Sequence, residues 1–247
     1  MSIFGMKELR KDAQHGGEGD DHDDIPPLLS WKAHRSWISG VALLHGDAAT
    51  QRQLLLTTAN DASMRIWDLS KMTSKRSAEE ISSIDGIHSG GIFSLHYNHH
   101  GSLIATGSKD WTVTLSQMRL STVTPIHRYE SHSSVVKCVQ FHPHKPWIAS
   151  VGNDRAVKVL DYRVKEKSFS THLTIPDAHP QVINCVCWRP GHDTQLMTCG
   201  ADPVIRLFDT RKPREPVHTY EGHNERSKGK NSIMKPIFLG GEGQVCL

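Results

Sequence analysis

The sequence predicts an all-β fold built by repetition, and three observations predict it. The first is the stretch Thr57-Thr58-Ala59-Asn60-Asp61-Ala62-Ser63-Met64-Arg65-Ile66-Trp67-Asp68, which reads as a strand, a tight turn at Asn60-Asp61-Ala62-Ser63 and a second strand. The second is that its spacing returns. A Ser or Thr stands four residues before an Asp, and an aromatic or its substitute stands six residues after it. Thr57/Asp61/Trp67 is followed by Thr106/Asp110/Ser116, Ser150/Asp154/Leu160 and Thr198/Asp202/Phe208. The third is a His ahead of each copy: His34, His88, His132 and His179, with His223 opening a fifth unit. Self-similarity at such a spacing is the signature of a repeat architecture, in which each unit is one supersecondary element.

On these residues the chain resembles the WD-repeat β-propeller family, in which each repeat of about 40–45 residues supplies the four strands of one blade. Ala33-His34 with Trp67-Asp68 is the fullest copy, and Gly222-His223 keeps the family's Gly-His. Elsewhere that pair reads Ile87-His88, Ser131-His132 and Ala178-His179, and Trp-Asp becomes Ser116-Gln117, Leu160-Asp161 and Phe208-Asp209. The resemblance covers nearly the whole chain. It specifies fold and leaves function open, because function resides in sites carried by a fold.

Taken in order, Ser2-Ile3-Phe4-Gly5-Met6 resembles the third strand of a blade and Pro27-Leu28-Leu29-Ser30-Trp31 that blade's outer strand. Between them Gln14–Asp24 is rich in Gly and Asp and reads as a loop; His15 and His22 lack the fixed spacing of a metal site. Residues 1–26 are thus a partial blade strand with an acidic loop. Residues 27–223 hold four blades, and residues 224–247 start a further one. Within each blade, positions three, four, seven and nine after the His are largely apolar: Trp37/Ile38/Val41/Leu43, Gly91/Ile92/Leu95/Tyr97, Val135/Val136/Val139/Phe141 and Val182/Ile183/Val186/Trp188. Apolar residues on both faces predict a strand covered on both sides. Position six is small throughout (Gly40, Ser94, Cys138, Cys185), which suits an inner strand crowded at the propeller axis. At the far end Glu225–Asn231 reads as a polar insertion, Ile233–Leu239 as a first strand and Gln244–Leu247 as the start of a second. Two architectures fit four full and two partial blades: a piece of a larger propeller, or a five-bladed ring closed by both termini. The first is favoured, because repeats of this family usually close at more blades.

The composition narrows the function. With 247 residues, 37% of them hydrophobic, and a formal charge of +3, the chain is long enough for one well-cored domain and not basic enough for a dedicated nucleic-acid binder. No long apolar run predicts a membrane span, and Met1–Arg10 carries no secretion signal. Five cysteines without a CxxC pair point to a reducing compartment, cytosol or nucleus, with Cys138 and Cys185 as small core residues.

His34, Thr57 and Asp61 have the residue types of a base, nucleophile and orienting acid. The family resemblance implies instead a structural network: Asp holds His, His holds Ser/Thr, and Ser/Thr meets the strand Trp. Four copies (His34, Thr57, Asp61, Trp67; His88, Thr106, Asp110; His132, Ser150, Asp154; His179, Thr198, Asp202) fit blade architecture, whereas catalysis needs one. The blades with Ser116, Leu160 and Phe208 lack the Trp donor. No enzyme is expected. His96/His99/His100 and His142/His144 read as turn residues, and no P-loop, dinucleotide fingerprint or HExxH signature implies a cofactor or metal.

Partners are therefore sought on the two faces. Near the His and turn Asp positions lie Arg35, Trp37, Lys109, Trp111, Asn153 and Arg155, and Trp and Arg dominate interface hot spots. Trp111 is the better partner-binding residue, since its equivalents are Ala62, Arg155 and Pro203; Trp37 reads equally well as core. At the opposite end Asp161-Tyr162-Arg163 and Asp209-Thr210-Arg211 resemble the box of WD-repeat substrate receptors of cullin–RING ubiquitin ligases, where the Arg faces the ligase adaptor. The alternative is that Arg163 and Arg211 brace their own blades through Asp161 and Asp209. The sequence thus predicts a protein-interaction scaffold, with ligase substrate receptor as the specific role and a chromatin or nucleic-acid-associated adaptor as the alternative.

Overall fold

A computed structural model of the chain describes residues 2–3, 29–45, 52–72, 77–98, 100, 102–164, 171–221, 237–239 and 244–246. All the regular structure there is strand. A short ladder pairs β1 (Ser2–Ile3) with β2 (Leu29–Ser30). The first blade is β3 (Ile38–His45), β4 (Gln53–Ala59), β5 (Met64–Met72) and β6 (Ala78–Ile84). The second is β7 (Ile92–Asn98), β8 (Leu103–Ser108), β9 (Val113–Arg119) and β10 (Thr122–Tyr129). The third is β11 (Val136–Phe141), β12 (Trp147–Gly152), β13 (Val157–Asp161) and β14 (Thr171–Ile175). The fourth is β15 (Ile183–Trp188), β16 (Gln195–Gly200), β17 (Val204–Asp209) and β18 (His218–Glu221). Each is an antiparallel sheet with its strands side by side in chain order. A last pair, β19 (Ile237–Leu239) with β20 (Gln244–Cys246), stands apart from β1 and β2, so among the described residues no ladder closes a five-bladed ring. The readings of Gln14–Asp24, His99, Gly222-His223 and Glu225–Asn231 lie outside the described residues.

The second strand of each blade is buried most completely. Ile104–Ser108, Ile148–Gly152 and Leu196–Gly200 are buried at every position, and neighbouring blades cover both faces of β8 and β12. Ala149, Val151, Val157 and Val159 of the third blade meet Val186, Trp188, Leu196 and Phe208 of the fourth in one apolar cluster. Burying a side chain of this size stabilises by about 1.5–3 kcal/mol, so the blade interfaces are the core of the molecule.

Each inner strand departs from regular pairing at the same place: between Ile38 and Gly40, Ile92 and Ser94, Val136 and Cys138, and Ile183 and Cys185. Such a bulge bends a strand and re-aims the residue it extrudes. The small residue just after it then lies against the next blade. A Cβ on Gly40 would come within 2.5 Å of the Leu95 Cβ, closer than real contacts allow.

The expectation of an inner strand covered on both faces fails for β3. Val41 and Leu43 are 51% and 62% exposed, while Ala42 and Leu44 face the second blade. The strand packs on β4 and β7, and no described element covers its other face.

Candidate functional site

The repeated triads assemble at the turn between the second and third strands of each blade. In the second blade His88 Nδ1 lies 3.0 Å from Asp110 Oδ2 and its Nε2 lies 2.8 Å from Thr106 Oγ1. The third blade repeats this with His132, Asp154 and Ser150 at 2.8 Å on both sides, and the fourth with His179, Asp202 and Thr198 at 2.7 and 2.8 Å. A carboxylate on Nδ1 fixes the proton there, leaving Nε2 to accept from the Ser or Thr hydroxyl. Only in the first blade does an indole join the triad: the Trp67 N–H donates to Thr57 Oγ1 at 2.9 Å, beside the 2.8 Å contact of Thr57 with His34. The side chains of Thr57, Thr106, Ser150 and Thr198 are fully buried, and the histidines nearly so, which puts the hydroxyls out of reach of a substrate.

Two features of these networks escape sequence reading. In the first blade a relay replaces the direct bond. His34 Nδ1 meets Ser63 Oγ at 2.9 Å, Ser63 donates to Asp61 Oδ1 at 2.6 Å, and the direct His34–Asp61 distance is 3.4 Å. Thr112 takes the corresponding place in the second blade, where Ala156 and Val204 offer no hydroxyl in the others. In the fourth blade Arg206 enters: its Nη1 donates to Asp202 Oδ2 at 2.5 Å and abuts the imidazole of His179. Arg65 occupies the same position in the first blade but pairs with Glu80 of β6 at 3.0 Å. Directly across the ladder both face a hydroxyl, Ser83 and Thr219; Glu80 stands opposite Trp67, and the fourth-blade ladder offers no carboxylate in its place.

Electrostatics follow the hydrogen bonds. Burial alone would raise the carboxyls of Asp61, Asp110, Asp154 and Asp202, yet donors outweigh it. Asp61 is lowered to about 2 by Ser63 and the Arg35 N–H, and Asp110 is held well below the carboxylate range by His88 and Thr112. His132 lowers Asp154, and His179 with Arg206 lowers Asp202. Burial pulls the imidazole of His34 below its ordinary value despite Asp61.

At the other end of the blades, Arg163 donates through Nε and Nη2 to both oxygens of Asp161 at 3.1 and 2.7 Å. Arg211 grips Asp209 the same way at 3.0 and 2.7 Å. Both side chains stay about 70% exposed, at 70% and 71%. Pairing within the blade and presentation outward thus coexist. A third Arg stands at the same place in the second blade, as Gln117-Met118-Arg119. Gln117 replaces the Asp there, so the segment lacks the Asp-x-Arg motif, and the Arg119 guanidinium has no ion pair among the described residues.

The turn residues singled out for partners are spread over three blades. Arg35 is exposed and its backbone N–H caps Asp61, Lys109 is exposed, and Arg155 pairs with Asp177 at 2.6 Å. Trp111 is 53% exposed at φ 70°, the left-handed conformation that its equivalents Ala62 and Arg155 also adopt at φ 65° and 62°, so the conformation belongs to the repeated turn. Trp37, also half exposed, sets its edge on Phe93 at 5.1 Å. Phe93 and Lys137 are bulge residues of β7 and β11. They line an axial cavity of about 680 Å³, with the Lys137 ammonium 4.3 Å from the Phe93 ring centre.

His142 is more than a turn residue. Its buried ring accepts the His144 and Lys145 N–H groups at Nδ1 and donates from Nε2 to the Asp193 carbonyl of the fourth blade at 3.1 Å. Cys138 and Cys185 lie 3.8 Å apart as free thiols. The hydrogen bond to Cys185, with burial, raises Cys138; the same bond lowers Cys185, but its contact with Cys199 and burial outweigh it and push Cys185 up to about 12. Such thiols are poor nucleophiles. Among the described residues no group of three His, Cys, Asp or Glu is placed to hold a metal, and no helix is long and apolar enough to cross a membrane.

Four-stranded antiparallel blades, each braced by a buried His–Ser/Thr pair and a turn Asp, define a WD-type propeller scaffold. The family described as WD domain, G-beta repeat matches residues 25–68, 80–115, 123–161 and 170–209, and the chain belongs to it. It is 32% identical over 137 residues to the U5 small nuclear ribonucleoprotein 40 kDa protein of Dictyostelium discoideum, covering 55% of this chain and 36% of that protein. It is 32% identical over 129 residues to the RbAp48-related WD40 repeat-containing protein prw1 of Schizosaccharomyces pombe, covering 49% and 30%. Against protein transport protein sec31 of Aspergillus oryzae it is 26% identical over 179 residues, covering 70% and 14%. The chain therefore spans about a third or less of the length of these relatives.

Proposed function

We propose that the chain is a non-enzymatic interaction scaffold that recruits another protein through the end of the blades carrying Arg163 and Arg211, as a substrate receptor of a cullin–RING ubiquitin ligase does. The observation that carries this reading is the double grip of Asp161 and Asp209. Each carboxylate holds Nε and Nη2 of its Arg, so the planar fork is fixed while Nη1 remains available to a carbonyl or carboxylate outside. A pre-ordered donor loses less entropy on binding than a free one. The family match supports a scaffold; the ligase role rests on the two Asp-x-Arg segments. Co-purification of the full chain with the cullin-ligase adaptor tests it, comparing wild type with Arg163→Ala/Arg211→Ala at matched folded stability. Loss of the adaptor in the double variant is expected. Equal recovery removes the ligase role and leaves the scaffold.

A second reading is membership of a nucleic-acid-containing complex through the turn face, where Arg35, Lys109 and Arg155 are exposed, supported by the likeness to a ribonucleoprotein component. Its signature is an affinity for RNA or DNA that falls steeply with salt.

A further inference from the structure

We infer that the cleft at the rim between the third and fourth blades is a docking site for an acidic side chain, Asp or Glu, of a partner protein. The cleft has a volume of about 370 Å³ and lies apart from Arg163 and Arg211. Three guanidiniums line it: Arg155 from the turn of the third blade, Arg206 from β17 and Arg214 from the segment before β18. Arg155 is matched by Asp177 at 2.6 Å and Arg206 by Asp202 at 2.5 Å. Arg214 is exposed and has no carboxylate partner among the described residues. Three cations against two carboxylates leave one positive charge. That charge fits a carboxylate better than a dianion.

The cationic wall depends on a sequence difference between blades. Arg65 is drawn onto Glu80, the outer-strand residue opposite Trp67, whereas the fourth-blade ladder has no such carboxylate and Arg206 stays in the cleft, with its side chain 18% exposed. At the same position the second and third blades have Thr114 and Lys158, so this set of three arginines occurs once among the four blades. Pro176, Pro180 and Pro216 supply the rest of the exposed wall. Proline has no N–H to compete for a carboxylate and offers a rigid apolar surface to the residue flanking it. A guanidinium with free donors in such a setting recognises a carboxylate by charge-assisted, fork-shaped hydrogen bonds.

The test starts with a phage-displayed random dodecapeptide library panned on the full chain. One enriched sequence is then made with a fluorescein label and titrated by anisotropy. The inference expects enriched peptides to carry Asp or Glu. It expects affinity to fall about tenfold or more in Arg214→Glu and when the peptide's acid is replaced by its amide. Arg163→Ala/Arg211→Ala, at the other end of the blades, is expected to leave affinity within about twofold, because distant sites act independently. Because Arg214 is exposed, its substitution leaves the blade fold intact, which circular dichroism checks. Failure to enrich acidic peptides, or acidic peptides that bind Arg214→Glu as well as wild type, would overturn the inference. A phosphoserine in place of the acid binding more than about tenfold tighter would overturn the carboxylate assignment.

Discussion

In the first blade Thr57 serves two buried partners, the His34 imidazole and the Trp67 indole; in the fourth, Thr198 serves one, because Phe208 has no N–H. The Asp ends differ as well. Asp61 is capped by Ser63 and the Arg35 N–H, whereas Asp202 is matched by the cation of Arg206. The same three residue types therefore brace a blade by two routes, one with neutral donors and one with a charge. The comparison teaches that a buried hydroxyl counts by the number of polar groups it keeps satisfied, since each group left unpaired costs about 1–3 kcal/mol.

The largest expected effect breaks that comparison directly. Thr57→Val keeps the shape and orphans two groups, so it should destabilise by about 2–4 kcal/mol; Thr198→Val orphans one and should cost about 1–2 kcal/mol. Urea unfolding at neutral pH measures both. The same substitution should change sign in the second blade. Thr114 and Ser116 sit where Arg65 and Trp67 stand in the first, and their buried hydroxyls have no partner among the described residues. Thr114→Val should therefore stabilise by about 1 kcal/mol, read as a higher urea midpoint with an unchanged slope.

How much of this was legible in the sequence varies with the source of each contact. The meeting of His, Ser/Thr and Asp was legible through the resemblance to the WD-repeat family; spacing by itself ties only the Ser/Thr to its turn Asp, because His34 stands farther from Thr57 than His88 does from Thr106. Ser63 as a relay was not legible, since only the turn conformation brings a residue two places after Asp61 between it and His34. The path of Arg206 differs from that of Arg65 because Glu80, opposite Trp67, has no carboxylate counterpart in the fourth-blade ladder, a pairing set by register rather than by motif. His142 looks like any turn residue until the neighbouring blade presents the Asp193 carbonyl to it. The bulges that turn Phe93 and Lys137 toward the axis have no signal beyond the small residue that follows each. The uncovered face of β3 was missed because Val41 and Leu43 match, in pattern, positions that are buried in other blades.

A smaller effect sharpens the comparison through pH. Burial lowers His34, and burial with the nearby Lys145 ammonium lowers His142. A lowered imidazole means that the unfolded chain takes up the proton first. Stability is then complete above the ordinary value of about 6.5 and falls as pH drops from there toward the lowered folded values. Asp61, lowered to about 2, adds a second decline as pH falls below about 4. The urea midpoint should fall between pH 7.5 and 5.5, and His142→Asn should flatten part of that slope. A midpoint that rises toward pH 5.5 would mean the two imidazoles are held as cations.

The central claim, that Thr57 stabilises the first blade by satisfying two buried partners at once, is tested most directly by a double-mutant cycle on Thr57 and Trp67. Trp67→Phe reproduces the aromatic of the fourth blade and removes the indole donor; Thr57→Val removes the acceptor. With both changes the Trp67 N–H is no longer orphaned, so the double variant should be more stable than the sum of the single losses by about 1 kcal/mol or more. Losses that add to within about 0.3 kcal/mol would mean that the 2.9 Å contact carries no coupling, and would contradict the account.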